Sequence, residues 1–516
     1  MIVRGLLPSR RVALLATATA VLLFVAYPPA SLVLPSFVCL VPFLWWLEDA
    51  CADGRTGERP RAFWPGFWFG VFVNGTVLYW MVVALWHFTP LSLLAYLASL
   101  GLVLGPLWGA LAVAVVRVRR RTRIPLWVLF PLVWTALEWL VAHLSDLRFP
   151  WLGLGTSLTR VPVLVQWADI AGARGVTLWL AWANVMALAV LRRRAWKPAV
   201  LLGGTLALAL AYGAWRERTL VLRPAVMVAV VQPNVDYEEK RRNRNNDSLV
   251  QGLIALTRAA HEDSTVQLVV WPEAVVPDYF LRRPDWEAAI GRLAAELRTP
   301  LLVGGLDAVR GPDGTYEPFN AAFLFDTTGS ARRAPVYHKR YLVPIVERVP
   351  FLDPRWFGDL RYFGGFGIGR AFPVYRVGGA GFGALICYES AFEDLARRYR
   401  RSGADFLVNI TNDSWYGRTA APYQHAAHLV MRAIETRMGV ARSASTGISQ
   451  FVDPLGRTHQ DTPLFVVRVE TRAVLTTDAR TLYVRWGDWV GLVVLVGTAA
   501  CLVAAHARKD ATGEAA

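Results

Sequence analysis

Leu385-Ile-Cys-Tyr-Glu-Ser-Ala-Phe392 decides how the polar part of this chain is read. It closes the apolar run Phe382–Ile386, broken at Gly383, and leads into the acidic helix start Glu393-Asp394. A buried strand that ends on a thiol and turns into a helix is a way to hold a nucleophile. The backbone N–H groups that follow can point at a developing oxyanion.

The segments around this stretch alternate in texture. Val226–Val231, Val266–Trp271, Leu301–Gly304, Ala321–Phe325, Phe406–Ile410, Val440–Ala444 and Ile448–Asp453 read as strands. Asp236–His261, Trp286–Leu297, Glu393–Arg401 and His425–Arg437 read as helices. That alternation predicts an α/β layer structure, whose functional residues belong at the C-terminal ends of strands. Glu273, Cys387 and Asn412-Asp413 fall at such ends.

The flanking sequence is of another kind. Of 516 residues, 54% are hydrophobic, too many for one soluble domain. Apolar runs near 12–26, 31–47, 63–85, 91–116, 126–142, 176–191, 199–215 and 489–505 predict about eight membrane spans. Gly101, Gly105 and Gly109 recur at four-residue spacing, which fits a close-packing helix face or the ordinary abundance of glycine in spans. Ser145–Gly175, with Arg148-Phe-Pro-Trp-Leu-Gly-Leu-Gly155, reads as re-entrant or interfacial. The expected organisation is a transmembrane bundle over 1–216, an outer domain over 217–486, and a final span with a short tail over 487–516.

The formal charge is +16, but much of the arginine sits in short clusters between spans, such as Arg117–Arg123 and Arg192-Arg-Arg194. That is the positive-inside pattern and argues against nucleic acid as a partner. It puts both termini in the cytoplasm and residues 217–486 outside. The four cysteines form no CxxC, so neither a metal site nor a disulfide framework is expected, and the chemistry needs no cofactor.

A thiol that attacks an ester or amide needs a base and a cation or donors on its tetrahedral oxyanion. Glu273, fixed after Val-Val-Trp-Pro, can be the base. Lys339, in Tyr337-His-Lys-Arg-Tyr-Leu-Val-Pro344, and the N–H of Tyr388 can be the donors. Taken singly, a Glu after a strand is usually solvated, a Lys in a Lys-Arg pair is usually surface, and a lone Cys is usually core.

The motifs together are more specific. Trp271-Pro-Glu273, Lys339 with Leu342-Val-Pro344 and Glu347, and Cys387-Tyr-Glu389 occur in an order that resembles the carbon–nitrogen hydrolase (nitrilase) superfamily. Leu342-Val-Pro-Ile-Val-Glu-Arg-Val-Pro350, Asn409-Ile-Thr-Asn-Asp-Ser-Trp-Tyr-Gly417, Pro422-Tyr-Gln-His425 and the spans resemble, within it, the apolipoprotein N-acyltransferase family of bacterial inner membranes. The resemblance implies a multi-pass helical bundle carrying a nitrilase-like αββα sandwich on the periplasmic side. It implies Glu273 as general base, Lys339 as stabiliser of the tetrahedral intermediate and Cys387 as nucleophile, supported by Glu347, Tyr388 and Glu389. It implies a phospholipid acyl donor, a diacylglyceryl-cysteine lipoprotein as acceptor, and a monomer. One departure is Lys240-Arg241, where the family usually carries Lys-Trp.

Trp356, Phe357, Tyr362, Phe363 and Phe366, interleaved with glycines, have the composition of an aromatic lid over an acyl site, and Trp415 and Tyr416 are further candidates to line it. A plain surface loop is the alternative. A membrane-tethered amidase acting on small amides would use the same Glu, Lys and Cys. A transporter would need buried charges along a pathway, of which Glu138 is the clearest.

Overall fold

The structure is a computed structural model that describes residues 7–52, 60–87, 90–235, 246–262, 265–276, 278–311, 314–348 and 365–513. The chain divides into two compact units, one of residues 1–144, 148–217 and 486–516, the other of 145–147 and 218–485.

The first unit is helical. Among the described residues six helices are long and apolar enough to cross a membrane: Val33–Ala52, Ser92–Arg121, Leu126–His143, Ala168–Arg193, Trp196–Thr219 and Trp489–Arg508. Ala62–Val77 and Trp80–Trp86 make a seventh if this pair, bent by 65°, is one span. The first expected run, near 12–26, forms the helix Arg10–Ala26, whose 17 residues sit at the short edge of a spanning length. Two of the three spaced glycines pack as a helix face. A Cβ at Gly105 would lie 2.7 Å from the Phe67 ring and one at Gly109 2.8 Å from the Phe63 ring, whereas Gly101 meets nothing within 4 Å. The semi-polar stretch read as re-entrant forms the short 3-10 turns Pro150–Leu152, Leu154–Leu158 and Pro162–Leu164. Glu138 pins it: this carboxylate accepts from Trp134 Nε1 (2.9 Å), Leu154 N (3.0 Å), Arg174 Nη1 (3.1 Å) and Thr177 Oγ1 (2.9 Å).

The second unit holds two six-stranded sheets. The strands are β1 Arg223–Gln232, β2 Leu268–Val270, β3 Leu301–Arg310, β4 Tyr316–Phe325, β5 Tyr337–His338, β6 Tyr375–Val377, β7 Ala380–Ile386, β8 Phe406–Thr411, β9 Gly439–Ala444, β10 Gln450–Val452, β11 Thr458–His459 and β12 Arg468–Thr476. One sheet has the order β12-β1-β2-β3-β4-β5, the other β11-β10-β9-β8-β7-β6. Each has three parallel strands at its centre, β1-β2-β3 and β7-β8-β9, because the long helical crossovers that parallel pairing requires are present there.

Both faces of such strands must be dry. Helices Asn246–Ala260 and Pro284–Leu297 cover the first sheet, burying Val250, Leu253, Ile290 and Leu293 against Val269 and Trp271. The sheets meet on their inner faces, where Ser443 Oγ on β9 donates to Val231 O (2.8 Å) and Val270 O (3.2 Å) on the other sheet. Gly439 is required at this contact, since a Cβ there would lie 2.1 Å from Leu475 O.

Candidate active site

Four strand ends supply the site. Glu273 follows β2, Lys339 follows β5, Cys387 follows β7 directly, and Asn412 follows β8. Cys387 opens the 3-10 turn Cys387–Ala391 with φ of 52°. A side chain in that left-handed region is strained, and such strain persists only where the surroundings over-determine it. The turn starts directly after the strand, which leaves the thiol at the strand end with Tyr388 as the next residue of the turn.

Lys339 is 1% exposed and lies between two carboxylates. Its Nζ donates to Glu347 Oε1 at 2.9 Å and to Glu273 Oε1 at 3.3 Å. Burial works against its charge, yet Glu273 and Glu347 hold its pKa well above the ordinary lysine value. The cation is therefore permanent at neutral pH. Glu273 Oε2 accepts from the backbone N of Asn412 at 2.8 Å, and Glu347 Oε2 from Val343 N at 2.8 Å. Burial, reinforced by Glu273 and opposed by Lys339, pushes the Cys387 thiol above its usual pKa. At rest the sulfur is protonated, and a thiol in that state needs a base if it is to act as a nucleophile.

Glu389 acts as a brace. Its carboxylate accepts from Tyr337 OH (2.9 and 2.8 Å), Arg340 N (2.6 Å), Tyr341 N (3.2 Å) and Ile386 N (2.7 Å). One buried side chain thus ties the segment carrying Lys339 to the strand carrying Cys387. Burial lifts this carboxyl to about 7, against the pull of those donors.

Asn320 was not among the residues singled out from sequence. It is 5% exposed on β4, and its Nδ2 donates to Glu273 Oε1 at 2.7 Å and Glu347 Oε1 at 3.2 Å. A polar side chain inside Phe319-Asn-Ala-Ala-Phe-Leu-Phe325 was the available signal.

Tyr388 is buried with its ring edge-on to Phe392 at 5.1 Å. Trp415 and Tyr416 are half-buried on the 3-10 turn Asp413–Tyr416. Burial, with the nearby carboxylates of Asp413 and Glu273, pushes the Tyr416 phenol up. Phe366 is half-buried, and its backbone N donates to Glu347 O at 3.2 Å. Trp356, Phe357, Tyr362, Phe363 and Lys240-Arg241 lie outside the described residues. Among the described residues no group of His, Cys, Asp and Glu is placed to hold a metal ion.

A thiol, a carboxylate and an ammonium meeting at the strand ends of a two-sheet α/β unit define a carbon–nitrogen hydrolase domain. Residues 227–470 match the family model described as Carbon-nitrogen hydrolase, and residues 19–186 match Apolipoprotein N-acyltransferase N-terminal domain. The chain is 32% identical to the apolipoprotein N-acyltransferase of Geobacter metallireducens over 97% of this chain and 96% of that one. It is 32% identical to the protein of the same name from Bradyrhizobium diazoefficiens over 95% and 94%. Among solved structures it is similar to an amidase from Nesterenkonia sp., at 19% identity and a TM-score of 0.38, covering 52% of this chain and 95% of that one. The chain belongs to the apolipoprotein N-acyltransferase family.

Proposed function

We propose that this membrane enzyme moves an acyl chain from a phospholipid to the α-amine of an N-terminal S-diacylglyceryl-cysteine, through a thioester on Cys387. Glu273 takes the thiol proton as sulfur attacks the ester carbonyl. Lys339 and the N–H of Tyr388 carry the negative charge of the tetrahedral oxygen. The C–O bond breaks, and the lysophospholipid alkoxide leaves with the proton held by Glu273. The neutral acceptor amine then attacks the thioester and gives its proton to Glu273. The C–S bond breaks, and the proton returns to Cys387. Glu347 keeps Lys339 in place.

The observation that carries this reading is the buried Glu273–Lys339–Glu347 cluster at the strand ends beside Cys387, in a chain with six or seven membrane-length helices among its described residues. A soluble amide substrate needs no such bundle, whereas two membrane-anchored substrates do. The arginine clusters after residues 116 and 191 favour residues 217–486 on the outer, periplasmic side with both termini inside.

The test uses proteoliposomes with an acyl-labelled phospholipid and a diacylglyceryl-cysteine peptide. Label is expected on the peptide, with one lysophospholipid formed per peptide acylated and none of either with Cys387→Ala. Label released only as free fatty acid would overturn the transferase reading in favour of a hydrolase.

A further inference from the structure

A second buried charged cluster sits behind the site, and the acyl-transfer steps make no use of it. Asp413, His425 and Arg442 are all 1% exposed or less. Asp413 Oδ2 accepts from Arg442 Nη2 at 2.8 Å, while Oδ1 faces His425 Nδ1 at 2.8 Å and accepts from Thr411 Oγ1 at 3.1 Å. Arg442 also donates from Nη1 to Asn409 Oδ1 and from Nε to Ile448 O. Asn409 Nδ2 in turn donates to Leu385 O at 3.1 Å, two residues before the nucleophile. The network therefore fastens the ends of β7, β8 and β9 to one carboxylate. The packing is tight: a Cβ on Gly447 would lie 2.1 Å from Asp413 Oδ2.

Burying ionised side chains costs free energy that such a pair does not always recover, so a buried pair is weak evidence for stability alone. Here the cluster fixes the turn that starts at Asn412. That turn reaches the site's carboxylates through the Asn412 N–H, on Glu273 Oε2 at 2.8 Å. Burial opposes the charge on Asp413, but Arg442 and His425 hold its carboxyl down at about 2, so the anchor stays ionised whenever the enzyme works.

We propose that Asp413 and Arg442 are positioning residues for the general base, aiming the Glu273 carboxylate at the Cys387 thiol through the Asn412 N–H. The Asp413 charge also reaches Cys387 directly, where it adds to the groups that keep the thiol protonated. Its positioning effect acts through the proton-transfer geometry of Glu273 and so belongs to the acylation rate and not to lipid capture. This inference rests on the acyl-transfer reading above.

The experiment measures single-turnover acylation of Cys387 by phospholipid in proteoliposomes, by intact mass, for wild type, Asp413→Asn and Thr411→Val, with KM for phospholipid from steady-state transfer. Asp413→Asn is expected to slow acylation on the order of 10²-fold, the scale of a small misplacement of a catalytic group, with KM unchanged. Thr411→Val, which removes one hydroxyl hydrogen bond, should slow it ~5-fold with KM again unchanged. A folded Asp413→Asn protein that acylates at the wild-type rate, or one whose loss lies entirely in KM, overturns the inference. Should Asp413→Asn fail to fold, Thr411→Val decides: a wild-type rate overturns the inference and a slowed one at constant KM supports it. Absence of acylation in the wild type would instead overturn the transfer reading, and this inference with it.

Discussion

Replacing Asn320 by Ala removes one side-chain donor that serves two carboxylates, that of the proposed base Glu273 and that of Glu347 beside Lys339. Asn320 Nδ2 lies 2.7 Å from Glu273 Oε1 and 3.2 Å from Glu347 Oε1, in a site 5% exposed where water does not readily substitute. A hydrogen bond to a charged group contributes about 1.5–3 kcal/mol. If that stabilisation is fully present in the transition state, its loss slows acylation by about 10- to 150-fold. Glu273 would keep its contacts with Lys339 and Asn412, so the loss should stay below that of Glu273→Gln. Asn320→Asp is the sharper variant, since it sets a third carboxylate where a donor stood, among groups already one negative charge in excess. It should be slower than Asn320→Ala. The assay is the rate of thioester formation on Cys387, with a thermal melt of each variant to confirm folding. A folded Asn320→Ala protein with the wild-type rate, or an Asn320→Asp protein faster than Asn320→Ala, would refute the assignment.

Three further outcomes follow from the geometry. With φ of 52° at residue 387, Cys387→Gly should be more stable than Cys387→Ala by about 1–2 kcal/mol, read as a higher Tm, although both are inactive. Asp413, held at about 2 against an ordinary 3.8, contributes stability at pH above 3.8 that is lost as pH falls through 2, about 2 kcal/mol in all. Glu389, raised from 4.5 to about 7, binds its proton more tightly folded than unfolded, so its contribution declines as pH rises from 4.5 to 7 and is level above. Asp413→Asn should flatten the first limb and Glu389→Gln the second in denaturation curves taken across pH. Gly383→Ala should cost about 1–3 kcal/mol in a melt, because the new Cβ would lie 2.2 Å from the Tyr399 ring packed on β7.

The strand ends were legible because each is a short apolar run that stops at a polar residue. Phe382–Ile386 before Cys387 and Phe406–Ile410 before Asn412 read directly from composition, and helix Glu393–Arg401 from its charge pattern. Lys339 was visible only through the motif around it, since β5 is two residues long and too short for any periodicity. Asn320 was missed because the apolar run begins at Ala321, whereas β4 extends back to Tyr316 through pairing with β3. The division into two sheets was expected only through the family resemblance and is not visible in the strand pattern itself. It depends on β12, a half-exposed strand of mixed polarity that pairs with β1 from more than 200 residues away. Glu389 carried a motif but not its job. Only the fold brings Tyr337, Arg340 and Ile386 around one carboxylate.

The central claim is that Cys387 carries the acyl group between two lipids. Intact-mass measurement of the purified protein after incubation with a phospholipid of one known acyl chain tests it directly. A mass increase of one acyl group, mapped to the peptide containing Cys387, is expected. That mass is discharged by a diacylglyceryl-cysteine peptide much faster than by buffer alone. An unmodified Cys387 in an active preparation, or an adduct that buffer and peptide discharge equally fast, would contradict it.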